Sequence, residues 1–241
     1  MPLSTLTRGQ HWSPMALGPI AWWYAHPQFL TLGAGAVVNE WRDRSGNGNT
    51  LTPPGAVNPT FNAAGWRAGV GAVDFDGATQ FLSATSGSIL AAMAGADAPF
   101  SALVTARIDA SSDHGILEWS DVLLARSEWR TNNTPPEVLR YRRVDDAAGS
   151  VTVTGALDVG TVNGRLGISF PGTTVTTYRA RDVDSAAAAC NVGTCTFATF
   201  QLGKTTVGQL DGVIAECIIL PRAMTAAEWE RYVYYSIGEF G

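Results

Sequence analysis

Several things are scarce in this chain of 241 residues, and each scarcity removes a class of function. There are only three histidines, His11, His26 and His114, and none stands in a motif. No G-x-S-x-G, H-E-x-x-H or G-x-x-x-x-G-K-[ST] occurs, which removes the nucleophile elbow, the zincin site and the phosphate-cradling loop. Charged residues make up 15% of the chain, the net charge is −5, and neither sign gathers into a block, so nucleic acid is not an expected partner. No run of about 18 apolar residues offers a membrane-spanning helix. The run Met15 to Trp23 is broken by Gly18 and Pro19, and no secretory leader is expected from it.

Cysteine is scarce too, at three residues. Cys190 and Cys195 flank the turn-prone Asn-Val-Gly-Thr and are placed to bridge a loop, although a reduced pair fits the spacing as well. Cys217 lies in an apolar run. A structural zinc from Cys190, Cys195 and a distant histidine would lack its usual four ligands, so no metal is assigned.

What the chain does have is apolar residues, 46% of the total, enough to bury one sizeable core. Short segments rich in Val, Ile, Thr, Phe and Trp alternate with Gly, Asn, Asp and Pro clusters. They predict strands near 36–42, 72–75, 80–84, 101–108, 115–119, 122–126, 138–142, 150–154, 165–170, 174–179, 197–203 and 212–220. No helical periodicity of 10 to 15 residues lies between them, which disfavours parallel βαβ architecture and predicts an all-β antiparallel sandwich. Residues 1–18 read as an extended arm and 19–241 as one domain. A single helix follows Leu220-Pro221. Thr225 and Glu228 form a capping box, Trp229, Tyr232, Val233, Ser236 and Ile237 share a face, and Gly238 is the expected stop.

Two segments carry a resemblance when taken together. Trp41-Arg-Asp-Arg-Ser-Gly-Asn-Gly-Asn49 precedes Val73-Asp-Phe-Asp-Gly77, and Leu210-Asp-Gly-Val-Ile-Ala-Glu216 leads to the capping box. Their order resembles the laminin-G-like jelly rolls of the concanavalin A-like lectin and glucanase superfamily, over roughly residues 20–241. The residues also have a local reading. Ser45 to Asn49 suits a compact loop, and Asp76-Gly77 a tight turn. By period two Glu216 shares a strand face with Ile214 and Ile218, so an ionised carboxylate there would need an Arg or an indole N–H.

The resemblance implies a jelly roll and leaves two further matters open. Glucanases of this superfamily carry E-x-D-x-E or E-x-D-x-x-E on one strand, and neither is present. The acids Glu118, Asp121, Asp211 and Glu216 have the wrong spacing to share a strand face, so a glycoside hydrolase would need carboxylates converging from different strands. Some relatives bind calcium through loop acids. Asp43, Asp74, Asp76, Asp113, Asp121 and Asp211 are available, but none forms a recognisable calcium loop.

The expected protein is therefore non-enzymatic. Eight tryptophans are many for this length, and exposed aromatics beside amides would suit a sugar. On that basis Asp113, His114, Trp119, Trp129, Asn132 and Asn133 are the candidate ligand-binding residues. The resemblance extends to bacteriophage structural proteins and bacterial secreted proteins. It implies a virion decoration or fibre component, joined to protein partners or to its own copies through the arm and binding host glycans. The alternative is a free carbohydrate-binding module outside the cell or at its surface.

Overall fold

Alternation of apolar and polar residues produces strands here, and their pairing produces two stacked antiparallel sheets. A computed structural model describes residues 12–85, 88–109, 113–121, 124–131, 138–158, 163–180 and 182–240. The strands are β1 (Ala21–Tyr24), β2 (Leu30–Leu32), β3 (Val38–Trp41), β4 (Thr60–Arg67), β5 (Val70–Asp76), β6 (Leu82–Ala84), β7 (Phe100–Ile108), β8 (Gly115–Ser120) and β9 (Arg126–Thr131). They continue with β10 (Val138–Val144), β11 (Ser150–Asp158), β12 (Asn163–Phe170), β13 (Thr174–Arg179), β14 (Asp182–Ala189), β15 (Thr199–Leu202), β16 (Lys204–Thr205), β17 (Gly208–Gln209) and β18 (Asp211–Leu220). Besides short turns, the described residues form two helices, α1 (Ser88–Ala91) and α2 (Ala226–Phe240).

The larger sheet runs β14-β13-β12-β7-β18-β5-β4, and β1 also pairs with β18. The second sheet runs β11-β10-β9-β8-β15-β6. Their facing surfaces enclose the main core, in which Trp23, Trp41, Trp119, Trp129, Phe100 and Phe200 are all buried. An antiparallel β-sandwich with a C-terminal helix is the architecture expected from the sequence. The differences are instructive. The strand expected at 122–126 begins instead at Arg126, where Arg-Ser-Glu-Trp-Arg-Thr supplies the period-two alternation, and residues 122–123 lie outside those described. Strand β1 was not expected, because Ala-Trp-Trp-Tyr is nearly all buried and shows no alternation to read.

Helix α2 lies on the outer side of the larger sheet. Its capping box forms as expected: the Thr225 N–H donates to the Glu228 carboxylate (2.9 Å), and the Glu228 N–H donates to Thr225 Oγ1 (3.2 Å). Arg222 clamps the same carboxylate at 2.7 Å and, with the Thr225 bonds, holds its pKa down at about 2 despite partial burial. The helix does not stop at Gly238. It continues to Phe240, which packs beside Trp66 and accepts the Trp66 indole N–H on its carbonyl (2.8 Å), while Ile237 faces outward. Close seating requires Gly167 on β12, since a Cβ there would stand 2.5 Å from the Trp229 ring. Of the expected arm, residues 14–17 form one tight turn, the buried Leu17 accepts a bond from Arg222 (3.0 Å), and Trp12 meets Tyr235 edge-on.

Glu216 sits under this helix, and a bulge puts it there. Ile214 pairs with Ala106 but Glu216 pairs with Thr105, leaving Ala215 as the extra residue. Ile214 therefore faces the core, whereas Glu216 and Ile218 face α2, which corrects the simple alternation read from the sequence. The partner is an indole: Trp22 Nε1 donates to Glu216 Oε1 (2.8 Å), and Tyr235 Oη donates to the same oxygen (3.2 Å). No arginine forms an ion pair with it among the described residues. Burial raises its pKa to about 8 against these two hydrogen bonds and so favours the neutral form of the side chain.

The folded state thus holds a proton that the unfolded chain releases above about 4.5. Stability is expected to fall as pH rises from about 4.5 to about 8, by a few kcal/mol, and then to level off. In thermal melts across pH 5 to 9, Glu216→Gln should flatten that decline; an unchanged slope would place its origin elsewhere.

Candidate functional site

The motif residues near the N-terminus form a knot that serves the fold. Asp43 Oδ1 accepts the N–H groups of Trp22 (2.9 Å) and Ser45 (2.7 Å), and Oδ2 accepts the Ser45 hydroxyl (2.8 Å) and the Asn49 N–H (3.0 Å). Asn49 Nδ2 donates to the Ile20 carbonyl (2.7 Å), and its Oδ1 accepts the Ile89 N–H (3.2 Å). The loop therefore fastens β1 to β3 and α1. Asp76 is similarly occupied. Partial burial would raise its pKa, but the N–H groups of Thr79, Ala78 and Gln80 and the Thr79 hydroxyl bring it to about 2. Among the described residues, no three His, Cys, Asp or Glu side chains converge as a metal would require.

The sequence-derived ligand set is not brought together as a surface. Trp119 and Trp129 are both 0% exposed, on the inward faces of β8 and β9, with Trp119 packed against Phe100 and Phe200. His114 is buried: its N–H donates to Thr131 Oγ1, and its Nδ1 lies 3.1 Å from the Asp211 nitrogen. Asp113 remains near the surface, 3.3 Å from Arg130 Nη1. Asn132 and Asn133 lie outside the described residues. The tryptophans went inward because the polar positions of each strand, Glu118 in β8 and Arg126, Glu128 and Arg130 in β9, alternate with them. Cys190 and Cys195 are likewise buried free thiols and do not form the bridge considered above; burial pushes the Cys190 thiol up to about 11.

The alternation that buries the tryptophans turns a polar surface outward on the six-stranded sheet. One rung crosses all six strands: Ser83 opposite Gln201, Gln201 opposite Glu118, Glu118 opposite Glu128, Glu128 opposite Arg142, and Arg142 opposite Thr152. The next rung sets Arg130 opposite Arg140 and Arg140 opposite Thr154. Glu128 is fully buried, with Arg130 Nε at 3.6 Å and Arg126 Nε and Arg142 Nη1 each at 3.8 Å. Glu118 is covered by Thr206, whose N–H donates to Oε2 at 2.7 Å and whose hydroxyl donates at 2.9 Å. Burial raises the Glu118 pKa, with Glu128 adding to the rise against the Thr206 hydrogen bonds.

These two carboxyl groups oppose each other across strands, as a glycosidase pair might, yet Glu118 is 2% and Glu128 0% exposed. Neither reaches a sugar in an open cleft. The accessible part of the face is its β9–β10–β11 half, where Arg126, Arg140 and Arg142 are half-buried and Thr152 and Thr154 are exposed. The sequence carries a signal for it in Arg126-x-Glu128-x-Arg130 and Arg140-x-Arg142, arginines at period two on consecutive strands. Elsewhere, a hollow of about 280 Å³ is lined by Pro54 to Val57, Thr79 and Phe81, with Lys204 Nζ resting 4.1 Å from the Phe81 ring centre.

No family model and no curated protein matches the chain. Solved structures do match in fold. The binding domain of botulinum neurotoxin serotype D superposes with a TM-score of 0.65 at 11% identity, over 92% of this chain and 51% of that one. The binding domain of Paraclostridial Mosquitocidal Protein 1 gives 0.64 at 10%, over 90% and 52%. This chain thus spans about half the length of those toxin chains. Domain 4 of an extracellular arabinanase from Geobacillus stearothermophilus, solved with arabinotriose, gives 0.61 at 13%, over 87% of this chain and 95% of that domain. The shared element is the β-sandwich.

Asp43→Ala is expected to lower unfolding stability by about 2–4 kcal/mol in urea titrations, through the four strong hydrogen bonds it removes. Neither calcium nor a chelator should shift the wild-type melting temperature; a calcium-dependent rise of several degrees would contradict the architectural role. Thiol titration should count no reactive cysteine in the native state and all three after denaturation without reductant. A count of one would reinstate the Cys190–Cys195 bridge.

Proposed function

We propose that this chain is a non-catalytic carbohydrate-binding module that meets its glycan on the outward face of the six-stranded sheet. The observation that carries this reading is the accessible β9–β10–β11 half of that face, where the half-buried Arg126, Arg130, Arg140 and Arg142 stand beside the exposed Thr152 and Thr154 over a layer of buried aromatic side chains. Sugars present hydroxyl groups at spacings that such planar donors can bridge, and a sheet backed by packed tryptophans fixes the backbone those donors extend from, which leaves only their side chains to order. The fold neighbours add support, since one was solved with arabinotriose and another botulinum serotype D binding domain with N-acetylneuraminic acid.

A binding module acts where glycans are, outside a cell or on a particle surface, and among the described residues no helix is long and apolar enough to cross a membrane. The laminin-G-like affiliation and the virion decoration role belong to the resemblance, and no observation here favours them over a free module. Residues 14–17, the described turn of the arm, contact the chain's own Arg222. Screening the protein on a glycan array and repeating it with Arg142→Ala should show binding to a defined sugar class, weakened at least about fivefold by the substitution. No reducing ends should be released from any bound polymer. Binding unaffected by Arg142→Ala would move the site off this face, and steady hydrolysis would overturn the non-catalytic assignment.

A further inference from the structure

Fifteen arginines and one lysine supply all the positive charge of a chain whose net charge is −5, and four of those arginines gather on one sheet face. Arg126 and Arg130 come from β9, Arg140 and Arg142 from β10, and the pleat turns all four outward. Arg130 and Arg140 are direct cross-strand partners. Like charges so placed repel and weaken the pairing of their strands unless an anion lies between them.

The face does not supply enough acid of its own. Glu128 is shared among Arg126, Arg130 and Arg142 at 3.6 to 3.8 Å, beyond hydrogen-bond distance, and Asp113 lies 3.3 Å from Arg130. Arg140 forms no ion pair among the described residues. Glu118 is engaged by Thr206, and its burial disfavours the charged form. The Nε atoms of Arg126, Arg130 and Arg140 are buried and lack a hydrogen-bond partner among the described residues. A guanidinium so placed has already been partly desolvated, and an incoming carboxylate would meet its remaining, outward N–H groups rather than the covered Nε. Exposed Thr152 and Thr154, opposite Arg142 and Arg140 on β11, set hydroxyls beside them that could take the neutral hydroxyls of the same molecule.

We infer that the β9–β10 arginine face recognises a glycan bearing a carboxylate, with Arg130 and Arg140 binding the carboxylate and Arg142, Thr152 and Thr154 the sugar hydroxyls. This rests on the carbohydrate-binding reading and adds a charge requirement to it. A neutral sugar would leave the four arginines only Glu128 and Asp113 to share, whereas a carboxylate pairs with the opposed Arg130 and Arg140 and relieves their repulsion. The planar fork makes arginine the suitable residue, so lysine at position 140 should not substitute for it.

The test uses the full chain and an array of sialylated and uronate oligosaccharides, each printed beside its carboxyl-reduced counterpart, with a poly-dT oligonucleotide as a charge control. Binding to at least one carboxylated member is expected, at least about tenfold weaker after carboxyl reduction, after Arg140→Gln and after Arg140→Lys, and weakened by added salt. Arg140→Gln should leave the melting temperature unchanged or raised, which separates lost recognition from lost folding. Binding to neutral members alone would overturn the charge requirement while sparing the carbohydrate reading. Equal binding of poly-dT would reduce the face to nonspecific electrostatics and overturn it as well. A blank array would remove the carbohydrate reading and this inference with it.

Discussion

Strand β18 must be covered on both sides, and most of the molecule is arranged to meet that demand. Nine of its ten residues are buried. One face closes the core between the sheets and the other lies under α2 and the turn at 14–17. Its neighbours divide the work along its length: β7 pairs along one edge, while β5 takes the first part of the other edge and β1 the last. The bulge at Ala215 is the device by which one strand serves two layers, since it moves Glu216 to the helix side while keeping Ile214 and Cys217 in the core. A carboxyl in that position is tolerated because burial favours its neutral form and its acceptor oxygen receives two donors.

The two sheets therefore have different outer surfaces. The larger is roofed by a helix whose aromatic face packs on Gly167, Leu103 and Ile218, and it has little sheet left to offer a ligand. Among the described residues the smaller has no helix over it, and its outward positions carry Arg, Glu, Gln, Ser and Thr in register from edge to edge. The helix thus sets where the sheets can be polar: wherever α2 does not reach, the alternation of the strands can be given to polar groups at no cost to the core.

Much of the architecture could be read from the residues, and the misreadings share one cause. Strands with one wet face, such as β10 and β13, announce themselves by alternation, and the capping box of α2 is local chemistry that needs no tertiary context. Strands buried on both faces do not alternate, so Trp22 and Trp23 passed for an interrupted apolar run. The bulge at Ala215 exists only through its pairing with β7 and leaves no mark in the sequence. For the site, tryptophan drew attention as the residue sugars stack on, whereas the strand period assigned Trp119 and Trp129 to the core and the flanking charges to the surface. The informative residues were those between the aromatics.

The pairing of β1 with β18 also bears on how the chain reaches this structure. Ala21 lies against Ile219 and Tyr24 against Glu216, so the seam joins segments separated by nearly the whole sequence, and the Asp43 knot can secure only a strand that this seam has placed. Strand β18, an interior strand of the larger sheet, is synthesised after every other strand of that sheet. Folding must then wait for the C-terminal segment before its larger sheet can close, and contacts of such long reach belong to the slow, millisecond-to-second class of sandwich folding. Until that closure, the edges of β5 and β7 that receive β18 stand open, and in that interval the chain has most need of protection from pairing with its neighbours.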